Sequence, residues 1–316
     1  MNTAQSPAGP LPADFVSRLN RIVPDRWQTV VRSSFDQAKR TGFRINTLKT
    51  GPDEVIDRLE VPSEPVPWHP PARTVAAADR PRLTHSPLVS QGVVYVQGLS
   101  SILGTLVLDP QPGEQVLDLA AAPGGKAAHL AALMNNQGWL SVVEPVRRRM
   151  FVLADNLKRA GVSIAHTYLM DGRKAGQRVP DRFDRVMLDA PCSGEARFRT
   201  DDPSTWQYWS ERKIREQARK QRGLIRSAFQ ALRPGGRLLY CTCSFAPEEN
   251  EAIVASLLDA SPSRAELVPI DLPLDNWQSG LSGFGRHVWS GSLANTRRIL
   301  PNQRHDGFFM ALIAKT

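Results

Sequence analysis

Residues 113–126 read Gly113-Glu-Gln-Val-Leu-Asp118-Leu-Ala-Ala-Ala-Pro-Gly-Gly-Lys126, and this stretch decides how the rest of the chain is read. Val116–Leu119 is a short apolar run of strand type, followed at once by a glycine turn. An alanine-rich segment of helical type then runs to about Met134. Two glycines ahead of a helix let a ligand approach the backbone closely, and the small residues Ala120, Ala121 and Ala122 leave room for a bulky one. The turn matches neither the three-glycine dinucleotide fingerprint nor a phosphate loop. Taken alone, it is as well explained by glycine serving shape only.

The same alternation continues outward. Strands are expected at Trp139–Val143, Ile164–Tyr168, Phe183–Leu188, Gly236–Tyr240 and Gly307–Ala314, with helices at Val146–Ala160, from Lys213 to Leu232, and from Pro247 onward. In the long helix Ile214, Ala218, Ile225, Ala228 and Leu232 recur at helical spacing, and Arg233-Pro-Gly-Gly236 is expected to end it. Strand alternating with helix implies a parallel sheet covered on both faces. Ahead of it, two short helices are expected between Ala13 and Lys39, a strand over Gly42–Lys49 and a helix over Asp53–Leu59. The proline-rich stretch 61–90 reads as an irregular connection and residues 1–12 as a loose tail.

Ligands bind such sheets beyond the carboxyl ends of the strands, so the strand ends hold the candidate chemistry. The second strand ends at Glu144, where an acid can accept from ribose hydroxyls, although a lone acid there is more often a solvated surface residue. Asp171 follows the third. The fourth ends in Asp189-Ala-Pro-Cys-Ser-Gly194 and the fifth in Tyr240-Cys-Thr-Cys-Ser244. Cys192 and Cys243 each lie three residues past a strand end, so neighbouring strands about 5 Å apart would hang both thiols over one edge. A lone cysteine is usually a small buried hydrophobe. Two in polar turns at adjacent strand ends fit that reading poorly.

Among the 316 residues, 40 Lys and Arg against 31 Asp and Glu give a net charge of +9, which favours a polyanionic partner. Three cysteines, with no ligand spacing to histidine, argue against a disulfide framework or a zinc site and for a reducing, cytoplasmic setting. The N-terminus has no signal-peptide pattern and no apolar run reaches membrane-spanning length.

Asp118–Lys126, Asp189–Gly194 and Thr242–Glu251 together resemble the Nop/Sun family of RNA cytosine-5 methyltransferases, of the bacterial ribosomal RNA type. Arg44–Lys49 resembles the family's N-terminal RNA-binding segment, and Tyr95–Ser101 the segment before its catalytic domain. The resemblance implies a Rossmann-like fold with a seven-stranded, mostly parallel sheet that binds S-adenosyl-L-methionine, and a small α+β N-terminal RNA-binding domain. The expected division is 1–90 and 91–316. Carried over by position, the turn Ala120, Ala121, Ala122, Pro123, Gly124, Gly125 and Lys126 cradles the methionine end of the cofactor. Glu144 binds its ribose, Asp171 sits near the adenine, and Asp189 lies near the sulfonium and the base. Cys243 is the nucleophile, Cys192 assists product release, and Asp189 and Lys126 contact the cytosine ring. Departures are Ala120, Ala127 and Ala196, where Cys, Thr and Gly are usual, and the extra thiol Cys241.

The implied partner is RNA, ribosomal first and transfer RNA second, bound by a monomer without metal or membrane. Phosphate contacts are expected from Arg147, Arg148 and Arg149, from Lys213, Arg215, Arg219, Lys220 and Arg222, and from Arg44–Lys49. Two other readings remain at this point. A DNA cytosine-5 methyltransferase would use Cys192 as nucleophile and leave Cys243 idle. A non-catalytic RNA-binding assembly factor would keep the fold alone.

Overall fold

A computed structural model describes residues 10–316. The loose tail expected over 1–12 falls mostly on residues 1–9, outside the described ones.

One large sheet organises the chain. From its outer edge the strands run Ala165–Leu169, Trp139–Glu144, Gln115–Asp118, Phe183–Asp189, Leu232–Thr242, Phe308–Lys315, Arg297–Ile299 and Trp277–Ser279, with Ala265–Val268 also pairing to Phe308–Lys315. The first five are parallel to one another and the rest pair antiparallel. Val116, Leu117, Leu140, Val142, Val186, Leu188, Leu238 and Leu239 are fully buried, as strands covered on both faces require. The sheet has nine strands, two more than the expected seven. The three strands that the sequence reading did not locate, Ala265–Val268, Trp277–Ser279 and Arg297–Ile299, are only three or four residues long, too short to carry a periodicity of their own.

The helices Gly125–Leu133, Arg147–Arg159 and Glu211–Ala231 lie within two residues of where the sequence puts them. Ser210 starts that helix, its Oγ accepting from Lys213 N. Arg233-Pro-Gly-Gly236 does follow the helix, but as a bulge inside the next strand rather than as a linker. Phe183 pairs with Leu232 while Arg185 pairs with Arg237, and Gly235 takes φ +78° in the loop of extra residues.

The N-terminal portion opens with helices Ala13–Ile22 and Asp25–Asp36, broken by Pro24, and continues into a four-stranded antiparallel sheet ordered Ser63–Pro65, Ala72–Val75, Thr41–Ile45, Val94–Val96. The proline-rich stretch is therefore more regular than expected. Pro81 and Pro87 occupy the first turns of short helices, where a missing N–H costs nothing, and Pro65 lies on an edge strand. The two N-terminal helices do not stand apart. The Phe15 ring lies 4.9 Å from that of Phe198 and 6.4 Å from that of Phe245, and Arg18 reaches Glu248 at 2.6 Å. They thus pack directly behind the turns that follow the two central strands. No helix among the described residues is long and apolar enough to cross a membrane.

Candidate active site

The parallel register sets three strand ends side by side. Asp118 pairs with Met187, and Asp189 with Cys241, so the segments leaving these strands meet above one sheet edge. Cys192 and Cys243 come together there, their Sγ atoms 3.3 Å apart and both thiols free.

Buried carboxylates hold the two turns. Glu249 accepts from Ser193 N at 2.9 Å, Ser193 Oγ at 2.5 Å and Ser244 Oγ at 2.6 Å, joining the residue after Cys192 to the residue after Cys243. Glu195 accepts from Phe245 N at 2.8 Å, Ala246 N at 2.9 Å and Trp209 Nε1 at 2.8 Å. Burial pushes Glu249 up to about 7 and also raises Glu195. Ala196 N donates to Cys243 O at 3.0 Å, closing the frame.

Within it the thiols divide. A hydrogen bond from Cys192 lowers Cys243, burial opposes that, and the Arg197 guanidinium lowers it further. Cys192 moves up, first through the same bond and then through burial. In this pair Cys243 is the thiol that ionises first, while Cys192 keeps its proton. Cys241 is buried, its Sγ 3.7 Å from Leu188 O and from Asp189 Oδ1, and burial raises it too, so the extra thiol stays protonated.

Lys126 donates to Asp189 Oδ2 at 2.7 Å and to Ser101 Oγ at 2.5 Å. Burial pulls its ammonium down, but the Asp189 carboxylate beside it outweighs burial, so Lys126 is raised and remains a cation. Beside this pair lies a cavity of about 200 Å³ lined by Tyr95, Gln97, Ser101, Asp118, Ala120, Ala121, Ala122, Pro123, Gly125, Lys126 and Asp189. Gly124 makes the turn at φ +110°, and a β-carbon on Gly125 would meet the Tyr95 ring at 2.8 Å. Asp118 is wholly buried. Its Oδ2 has no partner among the described residues, and burial with the nearby Asp189 charge lifts it to about 7. An orphaned carboxylate oxygen beside an alanine-lined cavity fits a ligand with an ammonium group.

The other residues singled out lie further off. Glu144 ends its strand 1% exposed, accepting from Val146 N at 2.9 Å and paired with Arg149 at 3.3 Å. Asp171 caps a 3-10 turn and pairs with Arg173 at 2.6 Å. Neither lines the cavity. Arg44 is 1% exposed and faces His69, His129 and Tyr95 rather than solvent, so the Arg44–Lys49 segment presents no guanidinium to a phosphate. Arg149 donates to Ala122 O at 3.0 Å and braces the Ala120–Lys126 turn. Arg147, Arg148, Arg219 and Arg222 are exposed, while Lys213 and Lys220 pair with Glu216 and Arg215 with Glu211. A separate cleft of about 630 Å³ gathers Lys39, Arg40, Arg80, Arg197, Arg199 and Arg304 between the N-terminal portion and the sheet. Sequence reasoning passed over Asp118, Glu195, Glu249 and Arg197. For Asp118 the signal was present, since it ends its strand as Glu144 and Asp189 end theirs.

A parallel sheet whose first strand turns on glycines around an amino-acid-sized cavity is the catalytic fold of a Rossmann-like methyltransferase. The chain belongs to the family described as 16S rRNA methyltransferase RsmB/F, whose pattern matches residues 105–314, and the N-terminal domain of 16S rRNA methyltransferase RsmF matches residues 11–98. The family's methyl donor is S-adenosylmethionine. A ribosomal RNA small subunit methyltransferase F from Escherichia coli O81 (strain ED1a) is 39% identical over 294 residues, 88% of this chain and 57% of that protein. The chain thus spans a little over half the length of such curated relatives. The crystal structure of PH0851 superposes with TM-score 0.82 at 35% identity, covering 96% of this chain and 66% of that one. A methyltransferase homolog protein from Pyrococcus horikoshii gives 0.77 at 29% identity, covering 97% and 100%.

Proposed function

We propose that this protein methylates carbon 5 of a cytosine in RNA, with Cys243 as covalent nucleophile. The observation that carries the reading is the pair of free thiols 3.3 Å apart, polarised toward Cys243, beside the Lys126–Asp189 ion pair. The substrate is small-subunit ribosomal RNA, the substrate in the names of the curated relatives. Transfer RNA is the second candidate.

The cavity is below the roughly 300 Å³ of an ordinary ligand pocket, so it takes the methionine end of S-adenosylmethionine. The Ala120–Lys126 turn would hold that end, with Asp118 on its ammonium. Glu144 would reach the ribose on releasing Arg149, and Asp171 would stand near the adenine. When bound, the cofactor supplies an electrophilic methyl group on its sulfonium.

Carbon 5 of cytosine is too weak a nucleophile to accept that methyl unaided. Addition of the Cys243 thiolate to carbon 6 makes the ring an enamine, one hard step split into easier ones. Lys126 and Asp189 stand where they can hydrogen-bond the carbonyl and ring nitrogen 3 as charge builds there. After carbon 5 takes the methyl and gives up its proton to solvent, Cys243 leaves carbon 6 as the thiolate, and the Cys192 S–H, already on Cys243 Sγ, would hydrogen-bond the departing sulfur. The reading with Cys192 as nucleophile fares worse, because burial and its neighbour keep that thiol protonated.

The target base must leave its stack to reach the thiols. Residues 1–90 would act as the RNA-binding region, with the basic cleft between them and the sheet following the strand's phosphates. We further read the protein as a cytoplasmic monomer, since one chain supplies every group named.

The test is transfer of labelled methyl from S-adenosylmethionine to unmodified ribosomal and transfer RNA. Wild type should yield 5-methylcytosine and Cys243→Ala none. Cys192→Ala should accumulate a protein–RNA adduct on denaturing gels. An active Cys243→Ala protein would overturn the assignment, and absence of label from wild type with either RNA would overturn the activity.

A further inference from the structure

The turn between the thiols carries one cation that the chemistry above does not use. Arg197 N donates to Gly194 O at 2.9 Å, which folds the chain back so that the Arg197 side chain lies over Gly194. A β-carbon on Gly194 would come within 2.9 Å of Arg197 Nη2, and Gly194 itself has φ +74°. The guanidinium is therefore held against the loop that bears Cys192 two residues earlier, while Ala196 N holds the same turn to Cys243 O at 3.0 Å.

Arg197 has no ion pair and no side-chain hydrogen bond among the described residues. Most other cations of the cleft are engaged: Lys39 by Asp306 at 2.8 Å, Arg40 and Arg304 by Glu64 at 3.1 and 2.6 Å, Arg199 by Asp201 at 2.5 Å. Arg80 shares the vacancy but lies on the far wall, in a short helix of the N-terminal portion. Lys126 is committed to Asp189 and Ser101. Arg197 is exposed, so water can hydrate its donors, and its permanent charge remains available to an anion formed in the same pair of turns.

We propose that Arg197 is a positioning residue that holds Cys243 as a thiolate before RNA arrives. The proposal rests on the reading of Cys243 as nucleophile. Cys243 loses its proton to water, Cys192 keeps its own and donates it in the Sγ–Sγ contact, and Arg197 supplies the compensating positive charge. One charge–charge attraction acts on both groups. Cys243 is the foremost influence raising Arg197, and Arg197 is the foremost charged group lowering Cys243. Asp189 and Asp306 also raise Arg197, and Asp189 opposes ionisation of Cys243.

The test needs no RNA. Alkylation of Cys243 by iodoacetamide is timed from pH 5 to 10, the modified thiol is located by peptide fragmentation, and thermal melting checks folding. In Arg197→Gln and in Arg197→Met, the second neutral variant, the half-maximal pH should rise by about 1 unit, an about tenfold smaller thiolate fraction on the acid side. Arg197→Lys should recover most of it, and Arg199→Gln, which breaks only an exposed pair, should leave it unchanged. An unmoved midpoint in a folded neutral variant overturns the proposal, even if Cys243→Ala abolishes methyl transfer. A raised midpoint with an active Cys243→Ala protein would uphold Arg197 as the thiolate's partner and overturn the nucleophile reading instead.

Discussion

Cys192 Sγ and Cys243 Sγ lie 3.3 Å apart although 51 residues separate them, because Asp189 and Cys241 are register partners on parallel strands. Two thiols this close need only a small shift to bond, since a disulfide spans about 2.05 Å. A dithiol oxidant such as diamide should therefore link Cys192 to Cys243 and stop methyl transfer, and dithiothreitol should restore it. Cys241 should remain free, buried against Leu188 O. Thiol titration should show two of three thiols lost, and peptide mapping would contradict the geometry if the link involved Cys241.

Asp118 should give binding at the proposed cofactor cavity a pH dependence. Burial and the charge of Asp189 lift it to about 7, so below that pH it is neutral and cannot pair with an ammonium. Affinity for S-adenosylmethionine should rise as pH increases from 6 to 8. Asp118→Asn should flatten that profile and cost about 10–100-fold, the range of a hydrogen bond to a charged group. Calorimetric titration of wild type and variant at both pH values measures it, and an equally steep profile in Asp118→Asn would rule out this residue.

How much of this was legible beforehand follows from what each residue's role depends on. The strands ending at Asp118, Glu144 and Asp189 were readable because parallel strands are apolar throughout and stop at turns. Cys192 followed from counting past Asp189, whereas Cys243, expected three residues past a strand ending at Tyr240, directly follows a strand that runs on to Thr242. The strand Ala265–Val268 and its short companions were not readable, since pairing with Phe308–Lys315 rather than local pattern makes them strands. Arg44 looked like a basic surface residue, yet it is buried close enough to His129 to act on that ring, something only tertiary packing determines. Arg197 and Glu249 had no signal at all. A lone arginine and one acid within Pro247-Glu-Glu-Asn-Glu251 acquire meaning only once two distant turns face each other.

Glu249 should make stability depend on pH in an unusual sense. Its folded value, about 7, lies above the ordinary glutamate value of 4.5, so the folded state binds its proton more tightly than the unfolded state. Its favourable contribution is then full below about 4.5 and is lost as pH rises through 7, by roughly 3 kcal/mol at most. Glu249→Gln cannot ionise and lacks this loss, though its amide replaces one acceptor of Ser193 and Ser244. The stability difference, wild type minus variant, should thus shrink between pH 5 and pH 8. Urea unfolding at the two values tests this, and a difference that grows would reverse the assignment.

Phe15 ties the N-terminal helices to the thiols. Its ring is 1% exposed and lies 4.9 Å from Phe198, 5.7 Å from Phe35, 5.8 Å from Trp209 and 6.4 Å from Phe245. Phe198 follows Arg197, and Phe245 lies two residues past Cys243, so this aromatic cluster backs both thiol turns. Phe15→Ala should cost about 3–5 kcal/mol, as for other buried phenylalanines cut to alanine. Phe43 offers the comparison, being fully buried in a different cluster with Ile45, Val55 and Val75 on the outer side of the small sheet. Phe43→Ala should destabilise by a similar amount. Only Phe15→Ala should speed amide hydrogen exchange across 194–198 and lower methyl transfer at temperatures where both variants stay folded. Equal exchange at 194–198 in the two variants would mean that the helices support the fold without bracing the thiol turns.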